Sequence, residues 1–283
     1  MSAEAAAQGP ALAGHDGAGP RRRGSRSVLF LLLLFTACTQ GSEVILASTT
    51  STEDSGLFDT LLPAFEAAHP RYRIKLIAVG TGQALALGTR GDADVLLVHA
   101  PAAESAFMRA GLGSERRAVM HNRFLMLAPA ADPAQAAAAT DVCAALRRVA
   151  GAKAPFVSRG DDSGTHKKER ELWACAGVVP RGSWYMDVGQ GMGETLAIAA
   201  ERQAYTLADE ATFLALAPAG LMPLALRDSI LRNPYSAILV RSARHPAGAR
   251  AFLDWLTGAG RPLIAGYGTE RFGRPLFVPD GAP

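Results

Sequence analysis

Ser158-Arg159-Gly160-Asp161-Asp162-Ser163-Gly164-Thr165-His166-Lys167-Lys168-Glu169 joins a short apolar run to a helical pattern. Residues 154–158 before it read as a strand, and residues 167–176 carry helical spacing closed by Gly177. Hydroxyls, glycines and one arginine therefore fall where a strand ends and a helix begins. N–H groups in a helix's first turn lack intrahelical partners, hydroxyls add neutral donors, and a guanidinium adds a charged fork. That combination builds a seat for a small anion. Asp161 and Asp162 carry the wrong charge for such a seat and are expected to orient Arg159 or hold the loop. His166 with Glu169 is too little for a metal site, so a capping role is expected of the histidine.

Working outward, the same junction recurs three times. Ser48-Thr49-Thr50-Ser51-Thr52 follows the apolar run 44–47 and precedes a helical pattern over 54–68. Gly80-Thr81-Gly82 follows the alternating stretch 72–79 and leads into a helix near Gln83. Asp187-Val188-Gly189-Gln190-Gly191-Met192-Gly193 leads into a helix over 194–204. Taken singly, each is also what an ordinary helix cap or turn looks like. Together they describe a cleft lined by neutral donors and one guanidinium. Such a cleft suits a fully deprotonated tetrahedral oxyanion, since a protonated one wants an acceptor as well.

The remaining pattern gives the fold class. Strand 44–47, helix 54–68, strand 72–79, helix from 83 and strand 94–98 form an alternating series, which is the mark of a mostly parallel sheet covered by helices. A helix is expected over 102–109 and a long extended segment over 119–129, of a length to cross between two domains. Helix 141–149, strand 204–207, a helix over 210–216 capped by Asp209, strand 221–226, a second crossing candidate at 235–240, helix 247–256 and a short helix in 260–268 complete it.

With 283 residues, 49% of them apolar and 19% charged, the chain can bury a large core as one or two α/β domains. Residues 1–37 stand apart: arginines at 21, 22, 23 and 26 precede the apolar run 28–35, too short for a comfortable span. The run ends in Phe35-Thr36-Ala37-Cys38, a lipoprotein-type signal, so Cys38 is expected to carry the lipid anchor. Without residues 1–37 the formal net charge falls from +3 to +1. No basic, aromatic-interleaved run follows, and no nucleic-acid partner is expected. Cys143 and Cys175 can pair in an exported protein or sit as buried apolar residues, and their spacing does not choose. Neither a GxGxxG after the first strand nor a Walker loop is present, and no cofactor is expected. Ser163, His166 and an aspartate lie close in sequence, but no G-x-S-x-G elbow accompanies them, so catalysis is not expected.

The same stretches resemble a family. Ser48–Thr52 with Asp54-Ser55-Gly56-Leu57, Val79-Gly80-Thr81-Gly82-Gln83-Ala84, Gly91-Asp92-Ala93-Asp94, Val98-His99 and Met120-His121-Asn122-Arg123-Phe124 carry the resemblance. So do the loop 158–166 with Glu169 and Leu172-Trp173, then Trp184-Tyr185, Gly189-Gln190-Gly191-Met192-Gly193, Ala204-Tyr205-Thr206-Leu207-Ala208-Asp209 and Asn233-Pro234-Tyr235. In this order over residues 43–279 they are similar to the tungstate-binding component of bacterial tungstate ABC importers, the TupA-type periplasmic proteins. The resemblance implies a type II periplasmic binding protein fold, α/β, with two lobes that each hold a mixed, mostly parallel sheet flanked by helices. It places lobe 1 at 43–122, lobe 2 at 123–236 and a return to lobe 1 at 237–283. It implies tungstate, or molybdate, held by Thr50, Ser51 and Thr81 from one lobe and Arg159 and Thr165 from the other. Ser163 and Gly193 join that expected ligand set from the loop readings above, with no direct protein–metal ligand. An inner-membrane ABC permease is the implied partner of a periplasmic, lipid-anchored and monomeric receptor. His121, and Arg123 after Asn122, depart from the family's pattern; a surface role is expected of them, and facing the cleft either would instead make affinity depend on pH. The rival readings are a receptor for another small oxyanion, a hydrolase and a ligand-free scaffold lipoprotein.

Overall fold

The computed structural model describes residues 42–281. The signal-type segment 1–37 and Cys38 lie outside the described residues. Ten strands are present among them: β1 (Ser42–Thr49), β2 (Tyr72–Val79), β3 (Val95–Val98), β4 (Gly113–Pro129), β5 (Phe156–Ser158), β6 (Tyr185–Asp187), β7 (Tyr205–Asp209), β8 (Leu221–Pro223), β9 (Arg232–Val240) and β10 (Val278–Pro279). The helices are α1 (Thr50–Asp54), α2 (Leu57–Ala68), α3 (Thr81–Arg90), α4 (Pro101–Arg109), α5 (Val142–Ala152), α6 (Gly164–Cys175), α7 (Met192–Glu201), α8 (Glu210–Leu216), α9 (Pro246–Leu256), α10 (Arg261–Gly266) and α11 (Thr269–Phe272).

β1 pairs parallel with β2 and β3, and β9 runs antiparallel between β3 and β4. In a second sheet, β5 pairs parallel with β6 and β7, and β7 runs antiparallel to β4. The 17-residue β4 serves both sheets. Its part up to Arg123 pairs with β9, and from Phe124 onward it pairs with β7 and β8. The strand order β2-β1-β3-β9-β4-β7-β5-β6 thus passes from one sheet to the other through one continuous backbone. The long extended segment expected over 119–129 falls within β4, which passes from one sheet to the other. The other candidate, 235–240, is a strand whose partners β3 and β4 both belong to the first sheet.

Each sheet is covered on two faces. Val44, Leu46, Val95 and Leu97 pack with Leu57, Phe65, Phe252 and Trp255 of α2 and α9 on one face of the first sheet. Ala47, Leu96 and Val98 pack toward Ala84 and Phe107 of α3 and α4 on the other. The alternation along β1 and β3 is what a period-2 backbone imposes. In the second sheet Phe124, Met126, Phe156 and Tyr205 meet α5 and α6, while Leu127 and Val157 meet Met192 and Leu196 of α7. Ala211 of α8 packs in the first sheet's core although β7, just before it, belongs to the second sheet.

Two local readings change. The helical pattern 54–68 is split, because Gly56 takes a left-handed φ of 77° and α2 starts afresh at Leu57. The hydroxyl run is not a loop: Ser48 and Thr49 end β1, and Thr50, Ser51 and Thr52 open the five-residue α1. Cys143 in α5 and Cys175 in α6 form a disulfide, with Cα atoms 5.8 Å apart.

Candidate functional site: a buried oxyanion seat between two sheets

The carboxyl ends of the parallel strands place the polar residues. β1 delivers Thr50 and Ser51 in α1, β2 delivers Thr81 at the first position of α3, and β3 delivers His99. From the second sheet β5 delivers Arg159, and Ser163 caps α6, its Oγ accepting from the His166 N–H at 3.2 Å. Ligands in open α/β sheets sit at such strand ends.

The loops of the two sheets touch. A Cβ on Gly80 would lie 3.1 Å from the Asp161 carbonyl oxygen, and one on Gly164 would lie 2.7 Å from the His99 ring. These glycines permit close approach of backbone to a facing group. Gly160 and Asp162 take positive φ, 63° and 56°, which folds the loop back on itself. Asp161 Oδ2 accepts from Arg159 Nη2 and Oδ1 from the Ser163 N–H, so this aspartate orients the arginine as expected. Arg159 Nη2 also donates to Thr50 Oγ1 at 3.1 Å. His166 Nδ1 accepts from the Asp162 N–H, and Asp162 pairs with Lys167. The His166 ring therefore holds the loop, and it does not assemble with Ser163 and an aspartate as a catalytic relay.

Ser51, Thr81, Arg159, Ser163 and Thr165 are all no more than 2% exposed. Buried polar atoms are almost always hydrogen-bonded, so exceptions mark function. Here Thr81 Oγ1, Thr165 Oγ1 and the Arg159 Nε and Nη1 atoms have no hydrogen-bond partner among the described residues, and neither do Ser158 Oγ and Asp209 Oδ2. Neutral donors from both sheets and a buried guanidinium edge are thus available to one small ligand. Of the other expected ligand residues, Thr50 touches Arg159. Ser51 Oγ lies against Thr49 Oγ1 at 3.2 Å and His99 Nε2 at 3.3 Å. Gly193, half-buried in the first turn of α7, packs toward Leu216. A hollow of about 420 Å³, beside Thr60, Leu263 and Tyr267, shares no residue with this cluster.

His121 and Arg123 do not join it. His121 Nδ1 meets Asp280 Oδ1 at 2.8 Å and Arg232 Nη2 at 3.1 Å, and Arg123 donates to the carbonyls of Leu226 and Asp228. His99 is the functional neighbour that sequence reading left out of the ligand set. It is 2% exposed, stacks on Tyr235 at 4.7 Å, and burial lowers its pKa to about 4, so the ring is neutral at physiological pH. Its signal was the Val98-His99 motif at a strand's carboxyl end.

Behind the seat, on α6, the buried Glu169 carboxyl accepts from Tyr185 Oη at 2.7 Å and Trp173 Nε1 at 3.1 Å. Burial raises its pKa from 4.5 to about 7. Between those values the folded state holds a proton that the unfolded state has lost, so stability falls as pH rises through that window. Glu169→Gln removes the penalty. Its melting temperature relative to the unsubstituted protein is expected to be higher at pH 8 than at pH 5, by the equivalent of about 2.5 kcal/mol. Thermal melts at both pH values decide this, and a pH-independent difference contradicts it.

Two α/β sheets joined by a shared strand, with donors converging from the strand ends of both, define a solute-binding protein of the type II periplasmic class. Residues 19–259 match the PBP superfamily domain, and the chain belongs to that family. Its members are non-catalytic solute-binding proteins. The chain is 44% identical over 277 residues to the tungstate-binding protein TupA of Peptoclostridium acidaminophilum, covering 90% of this chain and 96% of that one. It is 35% identical to the tungstate-binding protein TupA of Campylobacter jejuni, over 81% of this chain and 88% of the relative. Among solved structures, the tungstate ABC transporter from Geobacter sulfurreducens superposes with a TM-score of 0.72 at 44% identity, covering 80% of this chain and 98% of that one. TupA from Desulfovibrio alaskensis G20 gives 0.70 at 40% identity, over 86% and 100%.

Proposed function

We propose that the protein is an extracytoplasmic receptor that captures tungstate for an ABC importer. The observation that carries this reading is the set of buried, unpartnered donors, Thr81 Oγ1, Thr165 Oγ1 and Arg159 Nε and Nη1, drawn from both sheets. Relatives named for tungstate binding at 44% and 40% identity support the choice of ion. The ligand set is Arg159, Thr50, Thr81 and Thr165, with Ser163 capping the helix that presents Thr165 and Gly193 bordering the seat on α7. Arg159 offsets half of a dianion's charge, and exclusion of water strengthens the remaining hydrogen bonds.

In the same reading, residues 43–122 and 237–283 form one lobe and 123–236 the other, with β4 as the crossing between them. Cys38 carries the lipid anchor, and the monomer delivers its ion to an inner-membrane permease. The test is calorimetric titration of ligand-stripped protein with tungstate, molybdate, sulfate and phosphate. Tight one-to-one binding of tungstate, with sulfate and phosphate far weaker, is the expected result. Equal binding of sulfate or phosphate, or no heat with any of the four, overturns it. The molybdate arm measures how narrowly the seat selects.

A further inference from the structure

A chain of buried side chains runs from the second sheet to Ser51, and its direction is fixed at one end. Asp209 Oδ1 accepts the Thr212 N–H at 3.0 Å. A backbone N–H only donates, so this oxygen accepts from it, and with the carboxyl ionised it has no proton to give to Asn122. Asn122, 3.4 Å from the same oxygen, must therefore turn its amide nitrogen toward it. Its Oδ1 then accepts from Asn233 Nδ2 at 2.7 Å. Asn233 also donates from Nδ2 to Tyr235 Oη at 3.0 Å, which leaves its Oδ1 facing His99 Nδ1 at 2.8 Å. The proton of the neutral imidazole must sit on Nδ1, and Nε2 becomes a bare acceptor. Ser51 Oγ, 3.3 Å from that nitrogen, is the group that fills it.

We propose that His99 is a positioning residue that holds the Ser51 hydroxyl proton within the protein, so that Thr50, Thr81 and Thr165, and not the Ser51 side chain, donate hydroxyl hydrogen bonds to the anion. A hydroxyl has one proton. If Ser51 turned it to a ligand, His99 Nε2 would be left buried without a donor. Thr50 is placed differently: its Oγ1 accepts from Arg159 Nη2, so its own proton remains for a ligand. The two asparagines sit opposite each other in the β4–β9 register, next to the point where β4 changes sheets, and the chain is built into that crossing. The neutral state of the ring is consistent with its complete burial beside the Arg159 guanidinium.

This inference rests on the oxyanion reading, and the two can fail separately. Ring ¹⁵N resonances of His99 in the ligand-free, full-length protein are expected to report a protonated Nδ1 and a bare Nε2. That result does not depend on which ion binds. In tungstate titrations, Ser51→Ala is expected to change Kd less than threefold, while Thr81→Val and Thr165→Val each weaken binding fivefold or more. In a His99→Phe background the Ser51 proton is released, and Ser51→Ala is then expected to weaken binding fivefold or more. A proton found on Nε2 overturns the proposal even if the His99→Phe protein fails to fold. A loss for Ser51→Ala in the otherwise unsubstituted protein as large as that for Thr165→Val overturns it too. Absence of tungstate binding altogether removes the function reading and leaves the tautomer as the deciding measurement.

Discussion

Arg159→Ala is expected to weaken tungstate binding by two to three orders of magnitude. Arg159 brings the buried positive charge of the seat, and two of its nitrogens, Nε and Nη1, have no partner among the described residues. Hydrogen bonds to charged groups contribute about 1.5–3 kcal/mol each, against about 1 kcal/mol for neutral ones. Truncation also leaves the Asp161 carboxylate beside the seat without the guanidinium it now pairs with. That oxygen would then face a dianion across a buried space, where repulsion is screened little. The combined loss is on the order of 3–4 kcal/mol. Thr165→Val removes one neutral donor, and its cost of about 1 kcal/mol is fivefold in affinity. Titration calorimetry of both variants separates the two magnitudes. Equal losses, or none for Arg159→Ala, reject the assignment of the guanidinium to the ligand.

Removing the Cys143–Cys175 disulfide is the second large effect. The bridge joins α5 to α6 across 32 residues of sequence. In the chain-entropy account, a loop of that length restricts the unfolded chain by roughly 3–4 kcal/mol. For a domain of this size, that corresponds to a fall in melting temperature of about 10 °C. The double Cys143→Ser, Cys175→Ser variant and the reduced protein should agree. The bridge lies at the far end of α6 from Ser163 and Thr165, so tungstate affinity is expected to change less than threefold. A melting temperature unmoved by reduction contradicts the stabilising role.

The sequence was legible where one local signal determined the outcome. The loop 158–166 reads as hydroxyls and glycines at a helix start, and Ser163 and Asp209 cap α6 and α8 as their residue types favour. β4 announced itself as an extended run too long for one short sheet. The break at Gly56 was present as a glycine inside an amphipathic pattern, but a glycine there is equally consistent with an unbroken helix. What remained hidden depends on distance in three dimensions. The pairing of Cys143 with Cys175 needs Cα atoms within bridging range, which spacing along the chain does not supply. The role of His99 needs Asn233, 134 residues away, and Asp209 beyond Asn122. No periodicity links residues so dispersed, because each is a single polar position on or just after a different strand. The family resemblance carried the tungstate expectation, since the residues by themselves asked only for a small, deprotonated oxyanion.

The contacts that bury the seat also set how long an ion stays. The Gly80 and Gly164 backbones lie against the facing loop and ring, and the donors between them are closed to solvent. In the proposed reading, an ion among them reaches water only when those loops part. Its residence time is therefore bounded by the frequency of that parting, a collective motion of the protein, and not by the strength of any one hydrogen bond. A weakly held ion and a strongly held one would face the same mechanical gate, and would differ in how often the gate reopens before it has released its contents.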